Sequence, residues 1–499
     1  MTAWLLEDSA DYVIVGTGAG GATAARVLAA AGHDVLMVEE GPRLGPEDRP
    51  RDLLRGMGRA VRGMGTQATL GKTPIPLIQG RLVGGSTAIN SGIIWRMPDD
   101  VRRQWTDEHG LGWLVDEPEM ERIYDVIEEE LEVTKTPEAV FGGNSRKMAE
   151  ACESLDLPGQ AMVRNAARCV GSSNCLQGCT TGARMSMDNS YVPRAIRDGA
   201  RLHPLLRVKR VLRSGGRATG IEGDVVEKGT RRRQGRFRIH ARKAVIVSAG
   251  VVHTPVLLEA SGIRGGLVGE RFQAHPGLAV VARFDEPINM SFGATQGYEV
   301  PQRSRGFKLE TLALPPEMLA ARLPGTGARW QARLAELDHY AQWCVQVRME
   351  AKGSIHRSFG GGPAARFEPT ARDVGVTQEA VALLCQMFFA AGAKEVYPGV
   401  GHLPEVITDP KMADAIYDAK LTRPDFHFVA SHLFGTAAAG KNHRLSVVGE
   451  DLAVHGIDGL YVMDASVFPT NMGVNPQHSI MTVVYRATER LANARRVAA

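Results

Sequence analysis

Long apolar runs are missing from this sequence: no stretch approaches the roughly 18–20 residues that a membrane span needs. Charge of one sign is missing too, because 59 basic against 55 acidic residues leave a formal net charge of +4. A field that weak gives no reason to expect nucleic acid as a partner. The segment Met1 to Ala10 lacks the basic and apolar regions of a signal peptide, so the expected compartment is the cytoplasm. Cysteine is scarce, six in 499 residues, and without an export signal these read as thiols or metal ligands rather than a disulfide framework. No Gly-X-Y period runs through the chain, which excludes collagen-like and repeat architectures.

What is abundant is glycine: 56 residues, about 11% against about 7% in average proteins. A chain of 499 residues exceeds the size at which one core keeps growing, so two domains or one large composite are expected. The densest basic run, Arg231, Arg232, Arg233, Arg236, Arg238, Arg242 and Lys243, alternates with Phe237, Ile239 and Ala241. That is the period of a half-buried strand, and it reads as a solvated sheet face.

Asp11 to Val15 is a short apolar strand that runs into Gly16-Thr17-Gly18-Ala19-Gly20-Gly21 and then an alanine-rich helix over 22–31, closed by Gly32. His33 to Val38 forms a second strand ending at Glu39. Gly16 permits the turn, Gly18 lets a pyrophosphate approach the backbone, and Gly21 lets helix pack on strand. Phosphates would sit at the helix N-terminus, where free amides and the dipole favour anions. Glu39, 23 residues after Gly16, is placed to accept hydrogen bonds from ribose hydroxyls. Dinucleotide binding is expected, and these residues alone do not separate FAD from NAD. A second glycine loop, Gln79 to Asn90, suits a flat polar ring system or a diphosphate; read by itself, it is also compatible with a simple tight turn.

The N-terminal fingerprint followed by Gly80-Arg81-x-x-Gly84-Gly85-Ser86-x-x-Ile89-Asn90 resembles the glucose-methanol-choline (GMC) oxidoreductase family of FAD enzymes. Three further stretches continue the resemblance in the family's order: Ala244 to Gly250 with Thr254-Pro255 and Leu257 to Ile263; Val268 to Pro276; and Gly459 to Thr470 with Gly473-Val474-Asn475-Pro476. The resemblance implies an α/β fold, with a Rossmann-like FAD-binding domain interleaved with an α+β cap built on an antiparallel sheet. FAD-binding pieces would come from 8–100, 190–285 and 430–499, the last also catalytic. Segments 101–189 and 286–429 would form the substrate cap. Gly16, Gly18, Gly21, Glu39, Gly84, Gly85, Ser86, Asn90, Asp464, Asn475 and Pro476 would hold the cofactor.

Asn475-Pro476 precedes Ile480, Val483, Ala487 and Leu491 at helical spacing, which predicts a helix with Asn at its N-cap and Pro in its first turn. By the resemblance, this helix N-terminus meets the flavin and stabilises negative charge on it once reduced. The general base falls on His432, in Ser431-His432-Leu433-Phe434-Gly435-Thr436, and its partner on Asn475. His432 would take the hydroxyl proton of a small-molecule alcohol as hydride leaves for flavin N5, while Asn475 binds the substrate oxygen. Oxygen or another acceptor then reoxidises the flavin. His478, in the same first turn as Asn475, reads as a packing or supporting residue. Family members with covalent flavin use a histidine where Ile89 stands here, so noncovalent FAD is expected. The same fold serves a flavin-dependent lyase or decarboxylase, the alternative activity.

Cys169, Cys175 and Cys179 lie within eleven residues in a glycine- and serine-rich loop. The loop is similar to that of long-chain alcohol oxidases and bacterial FAD sugar dehydrogenases, some of which carry an iron-sulfur cluster that passes electrons onward. The cysteine and Cys-Pro pattern of cluster-binding relatives is incomplete here, so structural thiols are the preferred reading over iron-sulfur ligands. Cys152, Cys344 and Cys385 sit among apolar neighbours and read as buried packing. The apolar segments 309–323 and 387–389 favour a bulky or lipid-like alcohol or a glycoside over a small polyol. Gly360 to Gly362 reads as a cap loop over the entrance.

Overall fold

Tyr12 to Val15 are branched or aromatic and almost wholly buried, the pattern of a strand covered on both faces. Their strand, Leu6–Val15, lies parallel between Val35–Glu39 and Arg233–Val247. The computed structural model describes residues 5–50, 52–265 and 267–493. Within them the first of two seven-stranded sheets runs Arg201–Pro204, Val35–Glu39, Leu6–Val15, Arg233–Val247, Arg217–Val226, Leu206–Ser214, and Leu460–Val462 also joins Arg233–Val247. The basic run divides as its period suggests. Phe237 and Ile239 are buried, while Arg238 pairs with Glu222 and Arg242 with Asp11 and Asp34. Arg231 and Arg232 fall before the strand, which starts at Arg233.

The helix Ala19–Ala30 lies hard against this sheet because Gly20 and Gly21 put no side chain into its first turn to hold it away. A Cβ on Gly21 would stand 2.0 Å from the Gly16 carbonyl oxygen, and one on Gly20 1.8 Å from that of Met463. Gly16 turns the chain out of the strand at φ +96°, a region that side chains disfavour.

The second sheet runs Glu395–Tyr397, Gln273–Arg283, Tyr340–Val347, Phe307–Thr311, Tyr298–Gln302, Gln160–Ala161, with Val429–Phe434 added to Gln273–Arg283. These pairings are antiparallel. The helix Ala371–Ala390, capped by Thr370 and Asp373, covers it, and Phe388 stacks on Trp343 at 3.8 Å between ring centroids. Met387 and Phe388 are therefore core, not pocket, since the long helix turns its apolar face onto the sheet. Gln273–Arg283 and, apart from Val429, the strand Val429–Phe434 fall in segments expected on the cofactor side, yet both pair in the second sheet. Gln273–Arg283 is buried along nearly its whole length, and such a strand carries no mark of which sheet it joins. No helix among the described residues is long and apolar enough to cross a membrane.

Candidate active site

The C-terminal ends of the parallel strands and one face of the second sheet enclose a cavity of about 1030 Å³. Open parallel sheets bind ligands at this edge. The volume stands at the top of the roughly 300–1,000 Å³ usual for small-molecule and cofactor sites.

At the parallel-sheet end the wall includes Gly16, Gly18, Glu39, Gly85, Ser86, Asn90 and Asp464. A Cβ on Gly18 would meet no protein atom within 4 Å, so the backbone there is open to a ligand. Gly21 and Gly84 stand behind this wall: Gly21 packs on Gly16, and a Cβ on Gly84 would press on Asp188 at 2.7 Å. Thr17 ties the two glycine loops together. Its hydroxyl donates to Glu39 Oε2 at 2.9 Å and accepts the Gly84 N–H at 3.0 Å. Glu39 also accepts N–H groups from Thr17 and Gly41. Burial raises its carboxyl above the ordinary range, with those donors working against it.

The neighbouring Glu40 is surrounded by Arg62, Arg81 and Arg207. Burial acts to raise its carboxyl, and Arg62 outweighs it, so the group lies below its usual range. Arg81 nevertheless keeps Nε and Nη2 buried and without a hydrogen-bond partner at the cavity wall. Asp464 is committed internally, accepting from Ser466 N–H, Gly250 N–H and the Thr254 hydroxyl at 2.6–2.9 Å. Asn90 donates to Gln477 Oε1 at 2.7 Å, which fastens the second glycine loop to the last helix. An open glycine cradle, a buried acid beside it and unpartnered guanidinium nitrogens fit a dinucleotide with its diphosphate.

The other end of the cavity is built by the second sheet. His432 stands across from His275 in the strand register, with 3.3 Å between their Nδ1 atoms and the rings stacked at 5.4 Å. Asn475 Nδ2 approaches His432 Nε2 at 3.5 Å. His432 sits deep in the protein while opening onto the cavity; burial, with Lys308 adding to it, drops its pKa to about 3. Burial and the neighbouring His432 hold His275 well below the ordinary histidine range. Both rings are therefore neutral at physiological pH.

The last helix starts at Gln477, with Pro476 C=O accepting from Ile480 N–H at 2.9 Å. Asn475 does not act as the expected side-chain cap. Its Oδ1 accepts instead from Lys308 Nζ at 2.7 Å. Asn475, Pro476 and Gln477 line the cavity. His478 does not; it is buried with its ring 4.6 Å from that of Tyr124 and neither ring nitrogen hydrogen-bonded, Glu128 Oε1 lying 3.7 Å from Nδ1.

Sequence reasoning missed the polar side chains that the second sheet presents here. Gln342, Cys344 and Gln346 alternate along Tyr340–Val347, and Glu310 lies across from Cys344. Lys308 is wholly buried between Glu299 and Glu310. Their signal was Lys308 and Glu310 at period two within the apolar Phe307–Thr311, on the face opposite Phe307 and Leu309. Cys344 is buried as expected but belongs to the cavity wall, and burial lifts its thiol well above the ordinary range. Leu312, Leu314 and Met318 add an apolar rim, and Gly360 to Gly362 contribute at the mouth.

Cys175 and Cys179 are buried, Cys169 partly so, and all six cysteines are free thiols. The Arg164 guanidinium faces Cys175 Sγ at 3.4 Å and Cys169 Sγ at 3.9 Å. Among the described residues no three His, Cys, Asp or Glu side chains are gathered to hold a metal.

The sequence profiles of the N- and C-terminal parts of the family described as GMC oxidoreductase match residues 10–277 and 360–483. An uncharacterized GMC-type oxidoreductase of Mycobacterium tuberculosis is 34% identical over 96% of this chain and 75% of its own length. A long-chain-alcohol oxidase of Arabidopsis thaliana is 25% identical over 97% of this chain and 66% of its own. Among solved structures, formate oxidase superposes with a TM-score of 0.74 at 18% identity, covering 99% of both chains. Pyridoxine 4-oxidase gives 0.70 at 18% identity, covering 96% of this chain and 99% of its own. The chain belongs to the GMC oxidoreductase family and is an FAD-dependent oxidoreductase, with a Rossmann-like FAD-binding domain and a substrate domain.

Proposed function

We propose that the protein oxidises a CH–OH group to a carbonyl, with His432 as general base and Asn475 as its partner. The observation that carries this is the meeting of a neutral His432 Nε2 and the Asn475 amide, 3.5 Å apart, at one wall of the cavity. His432 takes the hydroxyl proton onto Nε2, and the Asn475 N–H holds the substrate oxygen as negative charge gathers on it. Bound FAD supplies the acceptor for the hydride that leaves the carbon. Gly16, Gly18, Glu39, Gly85, Ser86, Asn90 and Pro476 would hold that cofactor, with Gly21 and Gly84 shaping the turns behind it and Asp464 fixing the strand end beside it. Ile89, at the cavity wall, offers no nucleophile, so the cofactor is held without a covalent bond.

The substrate in this reading is a bulky alcohol, sugar or glycoside. Relatives named for long-chain alcohols, formate and pyridoxine differ too widely for any of those substrates to be transferred. The wall of this chain supports further hydroxyls on the substrate: Gln296, Glu310, Gln342 and Gln346 face it, and Gln342 Oε1 is buried without a hydrogen-bond partner. Anaerobic titration of the oxidised protein with candidate alcohols in the dark tests the proposal through loss of the flavin absorbance. Bleaching by an alcohol supports it; a protein changed only by light and a carboxylic acid would be a decarboxylase of the same fold.

A further inference from the structure

Lys308 has no path to solvent, and an ammonium group donates three hydrogen bonds and accepts none. Two of its hydrogens go to Glu299 Oε2 at 2.6 Å and Glu310 Oε1 at 2.7 Å. Those carboxylates are themselves held, Glu299 by Trp95 and Gln160 and Glu310 by Gln296. The third hydrogen goes to Asn475 Oδ1 at 2.7 Å. Because the cation cannot accept, the amide oxygen must face it, and the amide NH2 is left turned toward His432 Nε2.

We propose that Lys308 is a positioning residue that sets the tautomer of His432 through the Asn475 amide. Facing an N–H donor, His432 Nε2 must offer its lone pair, so the ring proton sits on Nδ1 and points at His275 Nδ1, 3.3 Å away. His275 accepts it and carries its own proton on Nε2. The bare Nε2 of His432 is then the atom that opens toward the substrate, as a general base requires. With Lys308 removed, the Asn475 amide is free to turn over and present its oxygen to His432, which stabilises the opposite tautomer with a protonated, incompetent Nε2. This inference rests on His432 being the base, and it adds what makes it one.

The test uses the full-length holoenzyme with ring-15N-labelled histidine, His432 being assigned by its absence in His432→Gln. In the native protein, long-range proton–nitrogen spectra should show Nδ1 protonated and Nε2 bare. In Lys308→Met the His432 pattern should shift toward protonated Nε2. Turnover should fall about 10- to 100-fold with KM changed much less, the scale of losing a partner that orients a functional group. The charged groups around the His432–His275 pair are Lys308 with its two glutamates, and Arg303. Removing the cation should therefore move the acid limb of kcat/KM upward by about one pH unit or more. Glu299→Gln keeps the contact between Lys308 and Asn475 and should keep the native tautomer. Where Lys308→Met fails to fold, Lys308→Met/Glu299→Met removes a stranded carboxylate and carries the same expectation. A protonated Nε2 in the native protein overturns the proposal by itself, and so does a folded lysine variant with native ring signals, turnover and acid limb. Full turnover in His432→Ala would remove the base assignment instead, while leaving the tautomer result standing.

Discussion

Replacement of His432 by alanine removes the group read as the base while leaving the glycine loops untouched. The histidine ring meets His275 on one side and Asn475 on the other and touches neither glycine loop, so the protein should fold and retain FAD. A positioned general base contributes about 10²–10⁴ in rate, so the barrier rises by about 3–5 kcal/mol. Stopped-flow measurement of flavin reduction by the best alcohol under anaerobic conditions reads this step without interference from the acceptor. The alanine variant leaves space beside Asn475, so added imidazole should recover part of the rate. The pH dependence is fixed in sign. As the proposed base His432 would work unprotonated, and its pKa is depressed to about 3, so the acid limb of the native enzyme should stay flat from neutral pH down and fall only as that value is approached. A variant that reduces its flavin within about threefold of the native rate would refute the assignment, because a positioned general base contributes about 100-fold or more.

Gly18 and Gly21 should fail in different ways. Gly18→Ala places a methyl in open cavity and should leave the melting temperature of the cofactor-free protein unchanged while weakening FAD binding about tenfold or more, read by flavin fluorescence titration. Gly21→Ala drives its methyl into the Gly16 carbonyl and should destabilise the fold by about 1–3 kcal/mol, read by denaturant unfolding. His478, buried with a pKa near 3, refuses a proton that the unfolded chain accepts near 6.5. Its contribution to stability is present above pH 6.5 and is lost as pH falls, by about 2 kcal/mol at pH 5. His478→Phe should therefore raise the melting temperature at pH 5 relative to the native protein by more than it does at pH 7.5, with turnover retained because the ring lies outside the cavity.

Much of the cofactor side is legible in the sequence, because its chemistry is local. A strand, a glycine turn and a helix must be adjacent in sequence to form a phosphate cradle, so Gly16, Gly18 and Gly21 announce it by spacing alone. Glu39 follows because the next strand begins where the helix ends. The glycine excess has the same origin, since backbone that must touch a ligand or another backbone cannot carry a Cβ. The resemblance extended this to His432 and Asn475, residues whose local sequence alone states nothing about their meeting.

The tertiary structure decided what lies around those two residues. Lys308, Glu299, Glu310 and His275 come from three strands of one antiparallel sheet, and their gathering around His432 and Asn475 depends on strand register, which no local spacing encodes. The apolar stretch 309–323 split between core and cavity rim for the same reason, and Phe388 went to the core because its helix turned that face to Trp343. Sequence by itself determined that a strand, a glycine turn and a helix would stand together near the start of the chain, since that information is carried along the chain. Which polar groups face the substrate, and which way the Asn475 amide points, depended on contacts between residues up to 167 positions apart.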